Sequence, residues 1–330
     1  MNSIMRRNRQ SGISLVEVMI AMLIGLILMS GVVQVFTSAR LTNRVHEATA
    51  RMQETGRMAL EVISRDVRMA DFWGCAADIT NVVNNLDSGG SGFIDFQSGG
   101  IAGTDGGSGA PDTLILRGGE NGGLQVEPPY GPQASANLKV AANNGLSQGD
   151  ILMVSDCQSA DVFQLTNSNP GNTGTLVHNT GSTVSPGNYN ATNPGCPGGG
   201  NAHCLSKVYG ADANIFNVSQ TSYFIGTGSE GEPALFRNGE EYLDGVEDLQ
   251  ILYGEDTTGS GTANYFVPAN QVADMEQVVS IRFAVVTRSY DDNLTGGINQ
   301  SFSVLGDNRT AGDQRLRQVY TSTVNVRNRL

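Results

Sequence analysis

Charge is absent from the start of this 330-residue chain in two ways. The first sixteen residues hold no Asp, Glu or Lys, and residues 18–39 hold no charge of either sign. Other tools are scarce as well: one Trp, three His and four Cys. No H-E-x-x-H or C-x-x-C spacing occurs. A zinc site with His203 beside Cys204 therefore lacks its usual frame. Basic charge is short in the body of the chain. Residues 71–330 carry eleven Lys and Arg against 27 acids, which argues against direct nucleic-acid binding. The 42 glycines and few aromatics point to many loops.

What is present is one long apolar run. Its 22 uncharged residues make a helix of roughly 33 Å, enough to cross a bilayer core of ~30 Å. Arg6, Arg7 and Arg9 precede it, so the N-terminus stays cytoplasmic and the remainder is exported. Glu17 sits only four residues into the apolar stretch, just ahead of these uncharged residues. A carboxylate in hydrocarbon costs several kcal/mol without a partner. A cut between Gly12 and Ile13 would create an α-amino group about one helical turn away. That amine pairs with Glu17 of its own chain or of a neighbour, and in the second case the acid is an assembly device. The alternative is an ordinary secretory signal peptide, with Thr37-Ser38-Ala39 as a cleavage site. Against it, the run exceeds the usual 7–15 residues and contains an acid.

The helical pattern continues beyond the run. Leu41, Val45, Ala48, Met52, Ala59, Val62, Ile63, Val67 and Ala70 recur at steps of three and four, with one gap near Thr55-Gly56. Glu47/Arg51 and Glu61/Arg65 have the spacing of exposed helical pairs. Met52, Met58 and Met69 read as core packing. The helix is expected to end near residues 72–75, with Gly74 as C-cap and Trp73 as an anchor. Residues 87–124 hold 13 glycines and read as surface loop around one strand at 113–117. Strands are expected at 150–155, 161–166, 206–209, 221–225, 234–237, 277–288 and 319–327. Residues 241–253 read as a helical turn running into a strand. Residues 167–204 and 291–314 read as loops. One long helix followed by antiparallel strands is an α+β fold. The expected divisions are a leader at 1–12, a transmembrane or filament-core helix at 13–39, its amphipathic continuation at 40–72, and an exported β-rich domain at 73–330.

Four cysteines in an exported chain suggest two disulfides. Cys75–Cys157 would tie the helix end to the domain, and Cys196–Cys204 would close a Gly/Pro-rich loop; three connectivities are open. Three short motifs invite enzymatic readings. Gly145-Leu-Ser147-Gln-Gly149 fits a nucleophile elbow, but a strand follows it rather than a helix. Residues 226–231 fit G-x-G-x-x-G, yet Glu230 and Glu232 would repel phosphate, and a hairpin loop fits better. Asp291-Asp-Asn293 opens like a calcium loop but has Phe302 at its twelfth position. No cofactor, metal site or catalytic residue is assigned, and the chain is read as a non-enzyme.

At residues 1–39 the sequence resembles the type IV prepilin family: a basic leader ending in Gly12, Glu17 five residues into the mature chain, and a long apolar helix. The resemblance implies cutting by prepilin peptidase after Gly12 and N-methylation of Ile13, although the usual first mature residue is Phe. The blocks GDILMVSDC, YLDGVEDLQILYG and YTSTVNVRNR are similar to those of PilW-type minor pilins. The resemblance implies an inner-membrane subunit that joins other minor pilins and the major pilin. It also implies help in priming pilus assembly, a place in a tip complex with a possible tip adhesin, and support of twitching and surface attachment. The LDGVEDLQILYG block is also similar to J-type pseudopilins of type II secretion, which is the alternative function.

Overall fold

The computed structural model describes residues 12, 14–74, 81–107, 109–131, 137–180, 184–189 and 204–329. Helix α1 (Leu15–Met69) runs for 55 residues, about 82 Å at 1.5 Å per residue. Its N-terminal part stands clear of the domain, with Leu15, Leu26 and Val35 all at least 70% exposed. Farther along, one stripe turns inward: Met52, Gly56, Ala59, Val62, Ile63, Ser64 and Val67. This is the three-and-four spacing of a helix lying on a core. Burial of Val62, Ile63 and Val67 contributes roughly 1.5–3 kcal/mol each. Met58 and Met69 differ from expectation, since both fall off the stripe and are 48% exposed.

Gly56 accounts for the gap in the apolar pattern. The Tyr320 ring occupies the space where its side chain would be, and a Cβ there would lie 2.3 Å from Tyr320 Cε2. The helix also stops earlier than Gly74. Ala70 is the C-cap, and Asp71 takes the left-handed conformation at φ 62°. Short polar side chains tolerate that conformation because they bond locally. Here Asp71 accepts from Trp73 Nε1 at 2.7 Å and pairs with Arg329. Asn328 Nδ2 donates to the Ala70 carbonyl at 2.8 Å, so the last turn of the chain closes over the helix end. Trp73 is buried edge-on against Phe96.

Two sheets follow. The first contains β1 (Val82–Asn84), β2 (Ile101–Thr104), β3 (Thr113–Gln125), β5 (Ile151–Asp156), β6 (Ser159–Gln164), β8 (Asn214–Thr227), β9 (Pro233–Arg237) and β10 (Glu240–Asp244). Its order is β1-β6-β5-β8-β3-β2, with β9 joining β8 to β10. Strands β4 (Asn137–Lys139) and β7 (Thr175–Val177) make a separate ladder. The second sheet has the antiparallel order β12-β11-β13-β16. Its strands are β11 (Val246–Glu255), β12 (Tyr265–Val267), β13 (Val278–Arg288) and β16 (Arg317–Asn325). A hairpin of β14 (Ser301–Val304) and β15 (Asp307–Thr310) packs Val304 against Ala284 and Val286 on its back.

The two sheets meet on α1. Ala59, Val62, Ile63, Val67 and Ala70 share one core with Ile251, Ile281, Phe283, Val285 and Val324 of the second sheet. Leu114, Leu116, Tyr223 and Leu235 of the first sheet complete it. The α+β expectation is met.

Several local expectations are not met. The Gly-rich stretch holds β2 and the 13-residue β3, because glycine there lets another backbone approach. The Asp71 amide donates to Arg117 O at 2.8 Å and the Gly119 amide to Phe72 O at 2.7 Å. A Cβ on Gly118 would come within 3.0 Å of Phe72 N. The segment 241–253 has no helical turn; β10 and β11 flank Gly245 at φ 71°. Residues 206–209 are not a strand: the Ser206 amide, which a ladder would use, donates to Asp161 instead, and Tyr209 Oη reaches the same carboxylate. The loops at 167–204 and 291–314 contain β7 and the β14–β15 hairpin. Arg65 reaches Asp66 at 3.5 Å rather than Glu61, whereas Arg51 meets Glu47 at 2.8 Å.

Candidate assembly interface

The N-terminal end of α1 combines an unburied apolar surface with a single carboxylate. Gly12 is exposed and precedes the helix, and Ser14 is its N-cap in an extended conformation. Glu17 lies in the first turn, where the unpaired amides of a helix N-terminus favour a carboxylate. It is exposed among Val16, Val18 and Ile20, themselves at least 40% exposed. Ile13 and the basic leader lie outside the described residues. Among the described residues, one helix is long and apolar enough to cross a membrane, and its most apolar stretch is not buried at all within the chain. The Arg40 guanidinium sits 4.2 Å over the Phe36 ring, marking the first charge above the run.

Three polar clusters hold the β-rich domain to this helix and to itself. Asp66 on α1 accepts from Tyr223 Oη at 2.6 Å and pairs with Arg237 at 2.8 Å. Burial and the neighbouring Asp66 carboxylate push the Tyr223 hydroxyl well above its ordinary pKa, so it stays a donor. Arg317 pairs with Glu247 at 2.6 Å and Asp313 at 2.5 Å, and Arg315 reaches Glu232 at 3.1 Å. The Arg317 guanidinium lowers the Asp313 carboxyl to about 2. The fully buried Asp161 accepts from Ser206 N at 3.0 Å, Tyr209 Oη at 2.7 Å and Asn85 Nδ2 at 2.8 Å. Burial raises its pKa while these bonds pull the other way. Local sequence gave little sign of these clusters, because apart from Asp313, Arg315 and Arg317 their members lie far apart along the chain.

Cys157 and Cys204 are each held in a disulfide. Cys75 and Cys196 lie outside the described residues, as does His203. A Cys204 thiolate is therefore not on offer to a metal, and no group of three His, Cys, Asp or Glu could hold one among the described residues. Ser147 sits in a turn ahead of β5, its amide donating to Asp150 Oδ2 at 2.8 Å. The 226–231 motif is the β8–β9 hairpin loop, closed by Gly228 N to Glu232 O at 2.8 Å. Asp291 is engaged with Arg44 at 3.0 Å.

Two family models match the chain. The prokaryotic N-terminal methylation motif covers residues 7–33, spanning Gly12, Ile13 and Glu17. The type IV pilus-assembly protein W model covers residues 222–328, from within β8 through β16. No curated protein and no solved structure gives a significant match. The methylation motif lies on the protruding helix and the other match on the sheet that the helix packs against, so over these two stretches the chain is similar to PilW-type type IV pilins.

Proposed function

We propose that the chain is a minor pilin that helps prime pilus assembly and sits in a tip complex. Prepilin peptidase cuts after Gly12, Ile13 becomes the N-methylated first residue, and the new amine meets the Glu17 carboxylate of a neighbour. The observation that carries this reading is the unburied apolar part of α1 with Glu17 in its first turn. Such a surface is stable in a bilayer or in a bundle of similar helices, and an acid within it needs a cationic partner. The helix anchors the subunit in the inner membrane before assembly, and the domain beyond Arg40 faces other minor pilins, the major pilin and a tip adhesin. The role is structural, with twitching and surface attachment as its consequences. The J-type pseudopilin alternative shares β11, and neighbouring genes separate the two: minor-pilin genes favour the first, secretion genes the second. The direct test is Glu17→Ala or a bulky residue at Gly12. Loss of pili and twitching is expected, and unchanged piliation would sink the proposal.

A further inference from the structure

The second sheet ends on an open edge. Strand β16 pairs only with β13, in register from Arg317 opposite Arg288 to Asn325 opposite Ser280. The Val326 amide donates to Val279 O at 2.9 Å, one step beyond that ladder. Hydrogen-bonded and non-bonded pairs alternate in an antiparallel ladder. Ser322 and Val324 therefore face β13, while Val319, Thr321, Thr323 and Asn325 turn their N–H and C=O groups to the free edge. Arg317 has the same parity, and it confirms the assignment: its amide donates to Gln300 Oε1 and its carbonyl accepts from Gln300 Nε2, both at 2.8 Å. Past that point nothing covers the edge among the described residues, and Thr321, Thr323 and Asn325 are exposed.

Edges are ordinarily blunted by charge, proline or shortness. Strand β10 follows that rule, with Glu240, Glu241 and Asp244 in five residues. Residues 318–326 do not: they contain no charge, proline or glycine. The arginines around this edge are unusual too. Arg44, Arg51, Arg65, Arg237, Arg288, Arg309, Arg315, Arg317 and Arg329 all pair with carboxylates. Among the described residues outside the membrane run, the solvent-accessible arginines without such a partner are Arg40, which lies over the Phe36 ring at the end of that run, and Arg57, Arg68, Arg282 and Arg327. Arg282 lies directly opposite Thr323 and donates from Nε to its hydroxyl at 3.2 Å, while its guanidinium stacks 4.0 Å over the Phe266 ring on the side away from the edge. Arg327 follows the strand by two residues, Arg57 adjoins the glycine under Tyr320, and Arg68 lies in the last turn of α1, near the Asn328 contact. The other uncharged outer strands, β1, β2 and β12, are only three or four residues long, so β16 is the long uncharged edge, and in a domain with 27 acids Arg282 and Arg327 set positive charge beside it.

We propose that β16 is a strand-addition site: it pairs with an extended segment of a neighbouring protein that carries Asp or Glu beside its pairing residues. Four outward residues supply main-chain bonds, and the arginines select an acidic strand over a basic one. The inference rests on the sheet and stands apart from the pilus reading.

The test uses the full-length chain in the cells that produce it. A photoreactive benzoylphenylalanine replaces Thr323, with Tyr242 on β10 as the control position. The expected adduct maps by mass spectrometry to one extended segment of another protein, flanked by Asp or Glu. Thr321→Pro should reduce it at least tenfold, because proline at an outward position removes an edge donor and leaves the β13 ladder intact. Arg327→Glu, which leaves the backbone untouched, should reduce it several-fold. An adduct on a helix, on a second copy of this chain or scattered over many proteins would overturn the proposal. So would its absence, or an adduct that survives both substitutions in a folded chain.

Discussion

The fit of Gly56 against Tyr320 gives the most specific energetic expectation. In an exposed helix interior, Gly→Ala stabilises by roughly 1 kcal/mol through reduced backbone entropy in the unfolded chain. At position 56 the new methyl would stand 2.3, 2.4 and 2.7 Å from three ring atoms of Tyr320. The ring has to move off the helix, and overpacking of this kind costs about 1–3 kcal/mol. The net effect of Gly56→Ala is thus a loss of up to about 2 kcal/mol. In a Tyr320→Ala background the obstacle is gone, and the same substitution should add roughly 1 kcal/mol. The double-mutant cycle predicts a coupling of about 1–3 kcal/mol and, more tellingly, a change of sign. Urea unfolding of the full-length chain in detergent micelles, followed by circular dichroism, measures both arms. If Gly56→Ala stabilises equally with and without Tyr320, the packing argument is wrong.

Asp66→Ala should destabilise the domain by roughly 1–3 kcal/mol, because it strips partners from Tyr223 and Arg237 at once; unfolding curves report it. The depressed Asp313 carboxyl stabilises the fold above the unfolded pKa of about 4, and this is lost as pH falls towards about 2. Asp313→Asn should therefore flatten the stability profile between about pH 4 and pH 2 while lowering stability at pH 7. Peptide mapping without reduction should recover Cys75 linked to Cys157 and Cys196 linked to Cys204; a Cys157–Cys204 peptide would refute that pairing.

The parts legible in the sequence were those with a local signature. The apolar run, the three-and-four stripe from Met52 to Val67 and the strands at 278–288 and 317–325 each announce themselves through periodicity. Gly12 and Glu17 fall within the matched methylation motif, which is local because leader, acid and helix are contiguous. What stayed hidden depended on distant partners. Gly56 looked like a flaw in the helix until Tyr320, 264 residues on, filled its place. The glycines of β3 looked like loop residues because the backbone that passes over them belongs to the helix end. Asp161 gives no hint of its role until the chain returns at Ser206 and Tyr209.

The central claim is that a new amine at residue 13 answers the acid at residue 17. It is tested most directly by intact-mass and N-terminal peptide analysis of the chain extracted from membranes. The account predicts a mature protein starting at Ile13 and carrying one methyl group on its amine. A chain starting near Arg40, its apolar segment removed, would contradict it.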